Sequence, residues 1–292
     1  MNTQISSAKS TIFSEKKSLN CRGNLIIFVK PLIMGILNIT PDSFYDGGKY
    51  NSVNKYMQHT AQMLQDGADI IDIGAASTRP GTLIINTEEE IQRLLPALKN
   101  IRKEFSDIII SVDTYHSKIA EVAIDNGADI INDISGGTFD DNMLNTIGKL
   151  KVPYVLMHIK GTLDTMQKEP VYDDVIKEVI FYFSERINKL RSLGVNDIII
   201  DPGFGFGKTI AHNYEILSKL DLFKVFDIPI VAGVSRKSMI NKVLNCKPED
   251  ALNGTTVLNT VALMKGASIL RVHDVKEAME MVKLVGSLDI LK

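Results

Sequence analysis

Asn132 and Asp201 end the aliphatic runs 130–131 and 198–200, and Asp113 follows Ile108-Ile109-Ile110 by way of Ser111-Val112. Carboxylates there accept hydrogen bonds and an amide both gives and accepts them. A flat heterocycle with several N–H donors and a carbonyl needs such fixed partners on several sides. The competing reading is that a carboxylate after a strand caps the next turn. Arg79, Arg271 and His273 could supply cations, with Asn38 as a neutral partner, and the planar arginine fork suits paired phosphate or pyrophosphate oxygens. Surface ion pairs are the plainer alternative. Lys237, in Val234-Ser235-Arg236-Lys237, could form a Schiff base or donate to a carbonyl or ring nitrogen; a solvated lysine at a helix start is a third possibility.

These groups need a scaffold that brings them together. Runs such as Ile33-Met34-Gly35-Ile36-Leu37 and Ile198-Ile199-Ile200 are apolar throughout, as strands buried on both faces of a parallel sheet are. Helical stripes alternate with them. Thr87 and Glu90 read as a capping box, followed by Ile91, Leu94, Leu95, Leu98 and Ile101. Val175, Val179, Phe183, Ile187 and Leu190 mark a longer helix, and Val275, Met279 and Val282 the last one. Gly67-Ala68-Asp69-Ile70-Ile71 recurs as Gly127-Ala128-Asp129-Ile130-Ile131, with weaker copies at Gly194 and Gly266. Each copy reads as a C-cap glycine, a tight turn and a buried strand.

Eight strands end near Asn38, Gly74, Asp113, Asp133, His158, Asp201, Ser235 and Arg271, which predicts an α/β fold, a (β/α)8 TIM barrel. Residues 19–28, broken at Gly23-Asn24, predict an N-terminal hairpin closing the bottom. Residues 1–17 read as a flexible N-terminal segment and 18–292 as one barrel domain. In such barrels the active site lies at the C-terminal strand ends, where these polar residues converge. A doubly wound sheet is the alternative, but Asn38-Ile39-Thr40-Pro41 after the first strand is no phosphate fingerprint.

Gly203-Phe204-Gly205-Phe206-Gly207-Lys208-Thr209 imitates two nucleotide motifs and fits neither. Pro202 stands where a P-loop needs glycine, and Lys208 where a dinucleotide fingerprint needs its third. The glycines are expected to let backbone approach a ligand, with Phe204 or Phe206 as an aromatic wall. The 292 residues carry 33 basic and 35 acidic side chains, a net charge of -2 that gives no electrostatic case for nucleic acid. Two cysteines, Cys21 and Cys246, suit a reducing cytosol, and no run is long enough to span a bilayer.

Taken in order, several blocks resemble the dihydropteroate synthases. They are Met34-Gly35-Ile36-Leu37-Asn38-Ile39-Thr40-Pro41-Asp42-Ser43-Phe44, Ser77-Thr78-Arg79-Pro80-Gly81, Ser111-Val112-Asp113-Thr114 and Asn132-Asp133-Ile134. After these come Asp201 to Lys208, Ser235-Arg236-Lys237 and Arg271-Val272-His273-Asp274. The resemblance runs from about Ile33 to Val275. It implies a pterin pocket of Asp113, Asn132, Met157, Asp201 and Lys237. It implies pyrophosphate against Asn38, Arg79, Arg271 and His273, with Mg²⁺ shared between Asn38 and the phosphates. Thr78, Pro80, Phe204 and Ser235 would enclose 4-aminobenzoate, under loops 38–48 and 76–81. A cytoplasmic homodimer is implied as well. Two departures stand out: Ala76 where a glutamate is expected, and Leu163 where a proline is.

The implied reaction joins 6-hydroxymethyl-7,8-dihydropterin pyrophosphate to 4-aminobenzoate, giving 7,8-dihydropteroate and pyrophosphate. Asp113, Asp201, Lys237, Arg271 and His273 would carry it along a dissociative path. Three other readings stay open: a corrinoid-linked methyltransferase on a pterin barrel, a class I aldolase through Lys237, and a pterin-binding paralogue without turnover.

Overall fold

A computed structural model describes residues 18–39, 49–76, 85–166, 168 and 170–290. Two short antiparallel strands come first, β1 (Ser18–Cys21) and β2 (Asn24–Ile27), turning at Arg22-Gly23 with both residues at positive φ. Eight parallel strands follow: β3 (Leu32–Asn38), β4 (Ile70–Gly74), β5 (Ile109–Asp113), β6 (Ile130–Asp133), β7 (Tyr154–Met157), β8 (Ile198–Asp201), β9 (Val231–Ala232) and β10 (Ile269–Val272). They pair in the order β8-β7-β6-β5-β4-β3-β10-β9, and a parallel bridge between Ile200 and Ile230 closes the ring. The expected eight-stranded barrel is what the chain forms. The strand expected to end near Ser235 is much shorter, stopping at Ala232.

Helices link the strands: α1 (Lys49–Gln65), α2 (Thr87–Glu104), α3 (Ser117–Asp125), α4 (Met143–Leu150), α5 (Val175–Ser192) and α6 (Ile210–Ser218). Two lie between β9 and β10, α7 (Ser238–Leu244) and α8 (Leu252–Met264), and α9 (Val275–Ile290) ends the fold. The four echo glycines, Gly67, Gly127, Gly194 and Gly266, all take positive φ, as the repeated turn requires. The expected capping box is displaced by one residue. Asn86 is the N-cap, accepting from the Glu89 N–H, so Thr87 begins the helix and Glu90 is buried.

Period-two alternation then decides what fills the barrel. Met34, Ile70, Ile130, Val155, Ile199, Val231 and Ile269 form an apolar floor. Leu19, Cys21 and Phe28 of the hairpin segment pack against it from below, so the bottom is plugged as expected. The echo aspartates fasten that plug. Asp129 receives Arg22, Arg102 and the Ile110 N–H, and Asp69 receives Lys30 and the Ile33 N–H. Two residues further along each strand, the same inward face presents Asp72, Ser111, Asn132, Met157, Asp201, Gly233 and Arg271. The site is therefore the next layer above the floor.

Candidate active site

Arg271 organises that layer from β10. Its Nε donates to Asp72 Oδ2 and its Nη2 to Asp113 Oδ2, each at 2.7 Å. Asn132 Nδ2 donates to the same Asp72 oxygen at 3.1 Å. Asp72 Oδ1 and Ser111 Oγ, neighbours in register, have no hydrogen-bond partner among the described residues. Two acids here share one guanidinium. Burial pushes Asp113 up to about 7 against the pull of Arg271, and the charge of Asp72 adds to the rise. Asn38, Gly74 and Asp113 are consecutive partners across β3, β4 and β5, so the Asn38 amide lies near Asp113 with only a glycine between.

Across the mouth stands Asp201, whose Oδ1 accepts from the Gly203 N–H at 2.7 Å. It caps its own turn, as the plainer reading had it, and leaves Oδ2 for the pocket. Burial raises it while Lys237, Arg271 and Lys208 pull it down. Lys237 Nζ donates to the Phe204 carbonyl at 2.6 Å and lies 4.9 Å from the centre of the Phe206 ring. Burial presses this ammonium down to about 8, and Asp201 resists.

The glycine-rich turn works differently from the sequence expectation. A Cβ on Gly203 would collide with the His158 carbonyl and one on Gly207 with Lys160. The close approach these two glycines allow is to the protein's own chain just past β7. Lys208, buried beneath, ties the turn down: its Nζ meets His158 Nδ1 at 2.9 Å and the carbonyls of His158, Gly203 and Phe206 at 3.2, 3.0 and 2.9 Å. Burial lowers Lys208 to about 7, and burial with the nearby Lys208 and Lys160 keeps His158 neutral. Phe204 is likewise corrected. Its ring is wholly inside the main core and offers no face to a substrate; Phe206 is the half-buried aromatic at the rim.

His273 Nδ1 and Ser235 Oγ are 3.0 Å apart. The His273 imidazole is pushed down to about 4 by desolvation and then by Arg271, so without ligand it is neutral at pH 7 rather than the cation expected. Arg236 and Lys237 add to the same downward push, and Asp274 opposes it. Arg236 holds this corner. At φ 55 it directs Ser235 and Lys237 to the site, while its guanidinium forks onto Asp274 at 2.9 and 2.7 Å and reaches the Pro248 and Glu249 carbonyls.

An apolar wall completes the mouth: Tyr115, Ile134, Met157, Ile159 and Met166, with Phe139, Leu163 and Phe206 against it. Leu163, a departure from the expected proline, simply adds to that wall. Asp113, Asn132, Met157, Asp201, Lys237, Arg271, His273, Ser235 and Asn38 thus all belong to one end of the barrel. Thr78, Arg79 and Pro80 lie outside the described residues, as does most of the first loop. Asp72, Lys208 and Arg236 had no expected role. Asp72 was findable, being a charge inside Ile70-Ile71-Asp72-Ile73 at the parity of the floor residue Ile70.

The Pterin binding enzyme family profile matches residues 34–273. The chain is 42% identical over 269 residues to the dihydropteroate synthase of Escherichia coli (strain K12), covering 91% of this chain and 95% of that one. The chain belongs to the dihydropteroate synthase family. Solved dihydropteroate synthases share the fold. The Xanthomonas albilineans enzyme with 4-aminobenzoic acid superposes with a TM-score of 0.87 at 35% identity, covering 94% of this chain and 98% of that one. The same organism's enzyme in complex with 7,8-dihydropteroate gives 0.84 at 33%, covering 93% and 98%. The dihydropteroate synthase relationship accounts for a polar layer with both acids and cations above a sealed floor.

Proposed function

We propose that this chain condenses 6-hydroxymethyl-7,8-dihydropterin pyrophosphate with 4-aminobenzoate, releasing 7,8-dihydropteroate and pyrophosphate. One observation carries the reading: the inward layer of Asp72, Asp113, Asn132, Asp201, Lys237 and Arg271 at the strand ends of a dihydropteroate synthase barrel. Asp113 and Asp201 accept N–H groups of the aminopyrimidinone edge, Asn132 gives and takes one bond each, and Met157 packs against the ring. Lys237, whose Nζ donates to the Phe204 carbonyl without ligand, is assigned as donor to a ring nitrogen or carbonyl of the pterin.

The leaving group lies toward Asn38, Arg79, Arg271 and His273. A pyrophosphate arriving beside neutral His273 favours its protonated form, so binding itself draws a proton to the imidazole. Asn38 offers one neutral oxygen, which suits an ion that keeps its waters and takes phosphate oxygens. Asn38 would hold Mg²⁺, which when bound neutralises charge on the leaving pyrophosphate. As the C–O bond breaks, Asp113 and Asp201 stabilise the pterin-borne cation electrostatically. The amine of 4-aminobenzoate is already neutral at pH 7 and attacks without a strong base. Ser235, Thr78 and Pro80 are assigned to its binding, with Phe206 replacing Phe204.

A homodimer and a cytoplasmic location complete the proposal. Both cysteines are free, and no helix among the described residues is long and apolar enough to cross a membrane. Pyrophosphate release, followed with each substrate omitted in turn, tests the function. Release that requires the pterin, Mg²⁺ and 4-aminobenzoate supports it; no release with all three present overturns it.

A further inference from the structure

Asp72 is a charge placed inside an aliphatic strand and fully buried, and no role in holding the main chain explains it. Other aspartates near strand ends hold backbone. Asp129 receives the Ile110 N–H, Asp69 the Ile33 N–H, Asp133 those of Ser135 and Gly137, and Asp201 that of Gly203. Asp72 receives no backbone N–H among the described residues. Its Oδ1 has no partner there, and both of its hydrogen bonds fall on Oδ2, from Arg271 Nε at 2.7 Å and Asn132 Nδ2 at 3.1 Å. A buried carboxylate is costly unless well paired, and here both partners are side chains of the pocket.

The shared oxygen decides which way the Asn132 amide faces. A carboxylate oxygen that receives an arginine N–H accepts and does not donate, so only the nitrogen end of the amide can face it. Asn132 is left with Oδ1 and a second N–H, neither bonded to a described residue. The strands make the reach possible. Asp72 on β4 and Asn132 on β6 lie on either side of β5, where the residue in register with Asp72 is Ser111, too short to part them. We infer that Asp72 is a positioning residue of the pterin site, locking the Asn132 amide so that its oxygen and one N–H are presented to the ligand. The inference rests on the pterin contact assigned to Asn132 above.

The consequence of removing the carboxylate follows from what its two donors do next. Arg271 Nε and Asn132 Nδ2 reach the same oxygen, so the two groups are neighbours. Without Asp72 the guanidinium N–H has lost an acceptor, and a half-turn of the amide brings it Asn132 Oδ1. The carbonyl then belongs to Arg271, and the pterin meets donors where it had an acceptor and a donor. An isosteric amide at position 72 behaves differently. Arg271 can only donate, so the introduced side chain turns its oxygen to Nε, and that oxygen still accepts from Asn132.

The test is calorimetric titration with 6-hydroxymethyl-7,8-dihydropterin, which is neutral at pH 7 and carries no pyrophosphate to engage Arg271. Asp72→Val should weaken binding about tenfold, the cost of breaking one charge-assisted hydrogen bond before the ligand can take its place. Asp72→Asn should recover most of that loss. Asn132→Ala should itself weaken binding, and Asp72→Val added to it should cost no more than about twofold further. Losses that add in the double variant, or an Asp72→Asn as weak as Asp72→Val, overturn the lock. So does an Asp72→Val protein that melts early but binds dihydropterin like wild type. Should Asp72→Val not fold, Asp72→Ser, one bond too short to hold Asn132, takes its place under the same expectations. If Asn132→Ala binds dihydropterin normally, the fault lies in the contact given to Asn132, and the inference falls with it.

Discussion

Replacing Arg271 with alanine is the perturbation whose size the structure fixes best. The guanidinium, 20% exposed, makes two 2.7 Å bonds to carboxylates that are 0% and 10% exposed. Removing one partner of a buried charged pair typically costs about 3–5 kcal/mol, because the remaining charge stays buried. We expect a loss of that order in unfolding free energy at pH 8, from urea titrations of a protein that still folds. The loss should shrink toward pH 6. Asp113 already titrates above its unfolded value, at about 7, so the native state holds a proton the unfolded chain has released. Its contribution to stability is complete below about pH 4 and disappears as pH rises through 7. Without Arg271 the native value climbs further, and the window of falling stability extends to higher pH with a limiting slope of about 1.4 kcal/mol per unit. Asp72→Asn in the same background should return part of the loss. An Arg271→Ala protein within about 1 kcal/mol of wild type at pH 8, or a loss equal at both pH values, would refute the shared-guanidinium reasoning.

Asp201→Asn keeps a side-chain oxygen for the Gly203 N–H but turns a donor toward the pterin edge; calorimetric titration should show affinity weakened by about 1–3 kcal/mol with melting near wild type. Lys208→Met leaves the carbonyls at 203, 206 and 158 without their donor, and thermal melts should register a loss of roughly 2–4 kcal/mol. Gly203→Ala meets both a positive φ and the His158 carbonyl, so stability and pterin binding should fall together in paired melts and titrations. Lys237→Arg keeps the charge but not the compact ammonium, and should weaken pterin binding while borohydride leaves the wild-type mass unchanged.

The barrel was legible because its signals are periodic. Aliphatic strands, repeated C-cap glycines and a hairpin turn at Gly23 each follow from local chemistry, and the strand ends followed with them except at β9, which stops at Ala232. The polar layer was legible in part, since Asp113, Asn132, Asp201 and Arg271 close strands. What escaped depends on the third dimension. Phe204 and Phe206 share the same parity but lie on an irregular turn, where period two gives no guidance, and only packing shows which ring is inside. Lys208 looked like a motif residue until four acceptors surrounded it. The lowering of His273 comes from desolvation and then from Arg271, with smaller pushes from Arg236 and Lys237, all brought around it by the closure of the barrel. Asn86 takes the cap expected of Thr87, its side-chain oxygen accepting from the Glu89 N–H.

The most direct test of the central claim is to identify the product formed from 4-aminobenzoate labelled in its amine nitrogen. Mass spectrometry should find the label joined to the pterin methylene in 7,8-dihydropteroate, with one pyrophosphate released for each molecule formed. Pyrophosphate released at the same rate without 4-aminobenzoate, with hydroxymethylpterin as the only pterin product, would contradict the account.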